Sequence, residues 1–246
     1  MEIAGKTVLI TGGARGLGLA TAHLCLERGA RVVVGARHEE SLAPALARLD
    51  GGDRVATVAS DVATVAGCRA VAEAALAGFG TIDVLFTNAG AYGTAEVEEM
   101  TEELWDAIVD SNLKATFFCL QAALPALRRA RGAVITMASD AGLLGVRGGC
   151  SVYGAAKAGI VNLTRQLALD LAPEVRVNCL APGFIATEKL LARNDADAVV
   201  ENLSDITPLR RLGTPDEVAR AVIYVIEADF MTGATISLDG GITSGY

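Results

Sequence analysis

Tyr153 and Lys157 stand four residues apart in "SVYGAAKAG", within a segment of helical apolar spacing, so both lie on one face of one helix near its start. A free phenol has a pKa of about 10, and a nearby ammonium favours the phenolate and lowers it. A tyrosine tuned in this way gives a proton to a carbonyl oxygen as hydride reaches the carbon, and takes one from an alcohol in reverse. Alone, Tyr-x3-Lys is a common accident of helical sequences. "TGGARGLG", residues 11 to 18, restricts the reading: it follows the apolar run "TVLI" and carries Gly12, Gly16 and Gly18. A strand that ends in glycines and feeds a helix presents free N–H groups and a partial positive charge to a pyrophosphate. The spacing Gly-x3-Gly-x-Gly is not the common GxGxxG, and a tight structural turn is the alternative.

The next strand bears on which dinucleotide is held. After "RVVVG" come Ala36 and Arg37, where NAD sites often place an acid, and Arg15 stands inside the glycine loop. Alanine does not repel a 2′-phosphate, and two arginines can clamp one, so NADP(H) is expected, with NAD(H) left open. Two ordinary solvated arginines are the other reading.

The elements that must position these groups are legible as apolar runs rich in valine and isoleucine: "TVLIT", "RVVVGA", "VATVAS", "IDVLFTN", "GAVITMAS", "VRVNCLA" and "ATISLDGG". Continuous instead of alternating, they suit parallel strands covered on both faces. Helical spacing fills Leu17–Arg28, Glu39–Leu49, Val65–Ala77, Leu113–Arg128, Val152–Leu171 and Asp216–Ile226. The expectation is an α/β fold: one doubly wound Rossmann domain over residues 1–246, a seven-stranded parallel sheet with helices on both faces. The polar stretch 188–213 between the sixth and seventh strands reads as a substrate lid.

Bulk properties exclude several classes. A net charge of -8 disfavours nucleic acid and anionic membranes as partners, and no apolar stretch is long enough to cross a bilayer. No secretory signal is read at "MEIAGKTVLITGG", so a cytoplasmic location is expected. Five scattered cysteines without a CxxC pair, and two distant histidines, argue against a disulfide framework and a metal site.

Taken together, the motifs resemble the short-chain dehydrogenase/reductase family over nearly the whole length. "TGGARGLG" is similar to its TGxxxGxG loop, "TNAG" (87–90) to its NNAG, and Asn112 in "DSNLKA" to its fourth-helix asparagine. "ITMAS" resembles its serine-bearing strand, "YGAAK" its YxxxK, "APGFIAT" its PG motif, and "LDGG" is also typical. The resemblance implies Tyr153 as general acid/base and Lys157 lowering its pKa while bonding the nicotinamide ribose. It implies Ser139 polarising the substrate oxygen and Asn112 holding a relay water, though Asn112 also suits a helix irregularity. Gly12, Arg15, Gly16, Leu17 and Gly18 would form the cofactor loop, with Arg37 near the adenosine ribose. Asp61 and Val62 would border the adenine, Asn88, Ala89 and Gly90 the ribose, and Pro182, Gly183, Ile185 and Thr187 the carboxamide. Asp61 has an alternative as a helix cap.

This chain departs from the pattern at Thr87, in a Ser139–Tyr153 interval one residue longer, which leaves Ser151 as a rival hydroxyl, and in a shortened "IEADFMTG". The implied activity is interconversion of a ketone and a secondary alcohol, with carrier-bound 3-oxoacyl thioesters first among substrates. The cluster Arg128, Arg129 and Arg131 could attract an acidic carrier, or be a solvated helix end. Sugars, polyols, steroids and other secondary alcohols are the alternative substrates, and a catalytically idle NADP(H)-binding sensor or scaffold the alternative class. A homo-oligomer, tetramer or dimer, is expected through the helices bearing Phe117, Phe118, Ile160 and Leu167, unless those residues are all core.

Overall fold

The apolar runs become seven strands: β1 (Thr7–Thr11), β2 (Arg31–Ala36), β3 (Val55–Ala59), β4 (Val84–Thr87), β5 (Ala133–Met137), β6 (Arg176–Pro182) and β7 (Thr235–Leu238). In the computed structural model, which describes residues 1–245, they form one sheet in the order β3-β2-β1-β4-β5-β6-β7. Every pairing is parallel, with Leu9 beside Val33 on one side and Leu85 on the other. Between them run α1 (Gly16–Glu27), α2 (Leu42–Leu49), α3 (Val65–Phe79), α4 (Glu102–Val109), α5 (Ala115–Ala130), α6 (Ser151–Leu171), α7 (Glu188–Leu191), α8 (Ala196–Ile206) and α9 (Pro215–Glu227).

Successive strand residues face opposite helical layers, which is why the runs do not alternate in polarity. Val8, Ile10, Val32, Val34 and Phe86 pack with Leu19, Cys25, Val222 and Ile226 of α1 and α9. Leu9, Val33, Leu85, Val134 and Val177 pack with Val71, Leu120, Leu127 and Leu167 of α3, α5 and α6. Each such aliphatic side chain, fully withdrawn from water, contributes about 1.5–3 kcal/mol before chain entropy is set against it.

The strand order reverses at β1, whose neighbours are β2 and β4. Their carboxyl ends feed loops that part in opposite directions, and the crevice so opened is where an open α/β sheet binds its ligand.

The helix between β4 and β5 departs from the expected Leu113–Arg128. It begins earlier as α4, passes through one π-turn (Asp110–Lys114), and continues as α5. α4 escapes a reading for apolar spacing because Ile108 is its one buried residue. Two surplus apolar residues of the oligomer argument are also corrected: Ile160 and Leu167 are core, 1% and 6% exposed, whereas Phe117 and Phe118 are half-buried and stacked edge to face. The shortened connection after α9 is held from beneath by β6. Arg176 donates to the carbonyls of Val225, Ile226 and Met231, and Asn178 Nδ2 donates to Met231 at 2.8 Å.

Candidate active site

Ser139 ends the segment after β5, and Tyr153 and Lys157 stand one turn apart on α6, so sheet and helix converge on one point. Two glycines make the approach possible. A Cβ on Gly142 would lie 2.7 Å from the Lys157 carbonyl carbon, and one on Gly154 would lie 3.0 Å from the Ala141 carbonyl oxygen. The 3-10 turn Asp140–Gly142 therefore rests directly on the α6 backbone. Ser139, not Ser151, is the hydroxyl that faces the Tyr153 phenol, while Ser151 is exposed at the helix start. The longer interval is taken up by a largely exposed loop ending in Gly148 and Gly149, both at positive φ.

Electrostatics at this point run opposite to the sequence expectation. Burial pushes the Tyr153 phenol up to about 12, the Ser139 hydroxyl bond opposes this, and the Asp140 and Cys150 charges add to it. Lys157 is fully buried, and desolvation brings its ammonium down to about 8. Its Nζ donates to the Met137 carbonyl at 2.8 Å and lies 5.6 Å from the Tyr153 ring centroid, over the face and not at the hydroxyl. The ammonium therefore does not offset the loss of water around the phenol, as position four on one helix face had suggested.

The glycine loop divides its labour. Gly12 and Gly16 have positive φ, +64° and +53°. A Cβ on Gly18 would lie 2.4 Å from the Gly12 carbonyl oxygen and 2.7 Å from Asn88 Nδ2, so Gly18 serves packing of the loop on its own helix. Gly12 is pressed against Ala89, whereas a Cβ on Gly16 would meet nothing nearer than Thr187 Cγ2 at 3.8 Å. Asn88 Nδ2 donates to the carbonyls of Thr11 and Gly12 at 3.1 and 2.9 Å, and Ala89 N–H donates to Thr11 Oγ1 at 3.1 Å. The Thr87 departure thus leaves the work of the following asparagine intact.

No side chain caps α1, although Thr64, Thr101 and Thr214 cap α3, α4 and α9. The first N–H groups of α1 are therefore offered no side-chain acceptor by the chain, which fits a dinucleotide pyrophosphate at this helix start. Thr64 also displaces Asp61 from the capping role considered for it. Asp61 instead accepts from Ala63 N–H at 3.1 Å and pairs with Arg37 at 3.6 Å, both side chains half exposed. Arg15 is exposed and Val62 buried. The expected clamp is thus one exposed arginine and one that already faces a carboxylate.

Across from Gly16, the segment after β6 folds against the approach to α9. Gly183 N–H donates to Leu238, Gly213 N–H to Phe184, and Ala186 N–H to Gly213. Ile185 is bridged to Gly213, and Thr187 Oγ1 caps α7 through Leu190 N–H. Pro182 closes β6 beside Leu238. Asn112 lies in the π-turn, 1% exposed, its Nδ2 donating to Ala91 and Ile108 at 2.8 Å each. Its Oδ1 is buried without a partner, and a Cβ on Gly90 would come within 2.3 Å of it. An acceptor left open beside the site suits a relay water, and the bond to Ile108 serves the helix irregularity too.

A groove of about 420 Å³ runs along this region, lined by Leu143, Leu144, Val146, Cys150 and Ser151 among others. A larger hollow of about 850 Å³ is lined by Phe184, Leu209, Val218 and Leu238, and none of Ser139, Tyr153 or Lys157 borders it. The smaller groove is not lined by these three residues either; it borders Ala141, Gly142, Cys150 and Gly154, which lie next to them in the chain or on the turn packed against α6. Two residues beside Ser139 and Tyr153 carry no signal in the sequence. Tyr92 stacks edge to face on Tyr153 at 5.0 Å with its hydroxyl 3.7 Å from Cys150 Sγ, and Asp140 accepts from Ser139 Oγ at 2.7 Å. Asp140 was visible only as the neighbour of a serine. Among the described residues no group of three or more potential metal ligands occurs, and no helix is long and apolar enough to cross a membrane.

Residues 12–243 match a family model described as enoyl-(acyl carrier protein) reductase. The chain is 36% identical over 248 residues to a 3-oxoacyl-[acyl-carrier-protein] reductase of Chlamydia pneumoniae, covering 99% of each chain. It is 37% identical over 244 residues to a cis-4-hydroxycyclohexanecarboxylate dehydrogenase of Sinomonas cyclohexanicum, covering 97% of each. Among solved structures, levodione reductase superposes with a TM-score of 0.92 at 32% identity, over 99% of both chains.

Proposed function

Since the chain belongs to the short-chain dehydrogenase/reductase family and is an oxidoreductase of that family, we propose that it interconverts a ketone and a secondary alcohol with NADP(H). The observation that carries this reading is the convergence of Ser139, Tyr153 and Lys157 at the carboxyl end of the sheet, the same end at which α1 starts without a side-chain cap. The bound nicotinamide supplies or takes the hydride. Gly12, Arg15, Gly16, Leu17 and Gly18 hold the pyrophosphate. Arg37 serves the adenosine side with Asp61 and Val62, and Asn88, Ala89 and Gly90 the ribose. Pro182, Gly183, Ile185 and Thr187 frame the carboxamide.

In reduction Ser139 orients the carbonyl oxygen and Tyr153 gives it a proton. A phenol held up to about 12 keeps that proton throughout the neutral range, which suits donation. Oxidation needs the phenolate, so its rate climbs as pH rises toward that value. Lys157 bonds the nicotinamide ribose, and Asn112 holds the water that returns protons from solvent. The half-exposed stretch with α7 and α8 serves as lid over the substrate.

A 3-oxoacyl thioester is the first substrate, supported by the Chlamydia pneumoniae relative. A cyclic secondary alcohol is the second, supported by the exposed Tyr92 ring against Tyr153 and by the Sinomonas relative. Loss of NADPH and NADH absorbance with acetoacetyl-coenzyme A at neutral pH tests both points. Turnover with NADPH alone supports the thioester and the two arginines. Turnover with NADH alone overturns the arginine assignment, and turnover on cyclohexanols but no thioester transfers the substrate to the second class.

A further inference from the structure

Tyr92 is 66% exposed, although the loop that bears it is fastened on both sides. Ala91, just before it, donates its N–H to Ser111 Oγ at 3.1 Å and accepts from Asn112 Nδ2 at 2.8 Å, so both of its peptide groups are tied to the π-turn. Gly93, just after it, lies on α4, where a Cβ would stand 3.0 Å from Leu104 Cδ1 and 3.1 Å from Ile108 Cδ1. Ala95 N–H donates to the Gly149 carbonyl at 3.1 Å, and a Cβ on Gly149 would come within 2.6 Å of the Ala95 carbonyl oxygen. The Tyr92 ring itself meets the Tyr153 ring edge to face, centroids 5.0 Å apart and planes at 76°, with its hydroxyl 3.7 Å from Cys150 Sγ.

Two rings nearly at right angles cover at most one face of either. At least one face of Tyr92 is therefore free of Tyr153, and at this exposure nothing else in the chain covers most of the ring. Single exposed aromatics are ordinary on a protein surface. This one is a fixed apolar plate against the side chain that handles the proton, so little rotamer freedom remains to be lost when a ligand covers it.

We propose that Tyr92 is a specificity-determining residue that contacts the substrate: its free face receives the hydrocarbon ring of a cyclic ketone or alcohol whose oxygen is held by Ser139 and Tyr153. The proposal rests on the assignment of those two residues to the substrate oxygen, and it names the part of the substrate that lies beside that oxygen. A carbocycle brings several C–H groups onto one aromatic face at a single ordering cost, whereas a linear acyl chain has to freeze a rotor for each carbon it lays down. The contact is the same in ground and transition state, so it acts on KM and not on kcat. Tyr92 takes no part in the proton or hydride transfer.

Cyclohexanone and acetoacetyl-coenzyme A are the two probes, reduced with whichever of NADPH and NADH the protein uses. Tyr92→Ala should lower kcat/KM for cyclohexanone by about tenfold, nearly all of it as a higher KM, and leave acetoacetyl-coenzyme A within about twofold. Tyr92→Phe keeps the ring and should stay within about twofold of the parent protein on both. Equal losses on the two probes in Y92A, a Y92F protein as impaired as Y92A, or turnover of the thioester with none of cyclohexanone overturns the proposal. The contact is also read without turnover, from the fluorine resonances of protein labelled with 3-fluorotyrosine, in which the Tyr92 signal is the one that Y92F lacks. Titration with cyclohexanone in the presence of NADP+ or NAD+, which cannot reduce it, should shift that signal saturably and leave the signal of Tyr224, exposed on α9, in place. A Tyr92 signal that does not move overturns the proposal whether or not either probe is turned over. A shift in a protein that reduces no ketone overturns instead the reading of Ser139 and Tyr153 as the carbonyl site, so the two failures are told apart.

Discussion

Lys157→Met should make the protein more stable near neutral pH while disabling it. The wild-type ammonium is fully buried, and its pKa falls from an ordinary 10.5 to about 8. At about 1.4 kcal/mol per pH unit, the folded state bears about 3 kcal/mol for keeping that charge. Methionine fills similar space without the charge but leaves the Met137 carbonyl, now 2.8 Å from Nζ, without its donor. That loss is about 1 kcal/mol, so the net gain is about 2 kcal/mol at pH 7. The sign follows from linkage. A depressed folded pKa favours the folded state above about pH 10.5, where both states are neutral, and that advantage is lost progressively as pH falls to about 8. The gain of the methionine variant is therefore full below about pH 8, gone near pH 10, and slightly reversed above it by the lost hydrogen bond. Urea denaturation without dinucleotide reads it directly. With a slope of about 1–3 kcal/mol per molar, the midpoint should rise by about 1 M at pH 7 and converge on wild type at pH 10. A variant no more stable than wild type at pH 7, or a gap that does not close with pH, would refute the claim that burial of Lys157 costs stability.

Tyr153→Phe should lower kcat by about 10²–10⁴-fold, the usual worth of a positioned acid or base, in steady-state assays on whichever carbonyl proves best. Ala36→Asp should shift the kcat/KM ratio toward NADH by about tenfold or more, through repulsion of a 2′-phosphate at the end of β2; parallel NADPH and NADH assays report it. Gly142→Ala places a Cβ 2.7 Å from the backbone of Lys157 and 2.9 Å from Ala158 N, so turn or helix must give way. Overpacking of this kind costs about 1–3 kcal/mol, and calorimetry should show Tm lower by several degrees together with a fall in kcat.

Strand positions were legible because parallel strands covered twice need apolar residues on both faces, and runs such as "VRVNCLA" satisfy nothing else so well. Helix ends were less so. Asp61 and Thr64 are both respectable caps, and only the path of the chain gives the place to Thr64. The convergence of Ser139 with Tyr153 and Lys157 followed from motif order, but the direction of their pKa values did not. Spacing reports that two groups are near, while the water removed around them depends on Met137, Gly142 and Gly154 from other segments. Tyr92 and Asp140 were silent for the same reason: each matters through a partner brought up by the fold. Ile160 and Leu167 illustrate the converse, since excess apolarity on a helix does not tell core from interface.

The π-turn at Asp110–Lys114 makes chain length itself a structural variable. It takes in one residue more than an α-helix would need to cover the same path. Deleting that one residue would let α4 and α5 join as regular helix over the same path, with Cys119, Leu120, Ala123 and Leu127 still against the sheet. What would be lost is the widened turn itself, and with it the reach of Asn112 to the Ala91 carbonyl. Deleting a residue from the regular helix just beyond would instead rotate everything downstream by about 100° and swing those side chains off the sheet. A deletion scan should therefore separate folding from function here: a shortened turn keeps the fold and loses the asparagine, and a shortened α5 loses the fold.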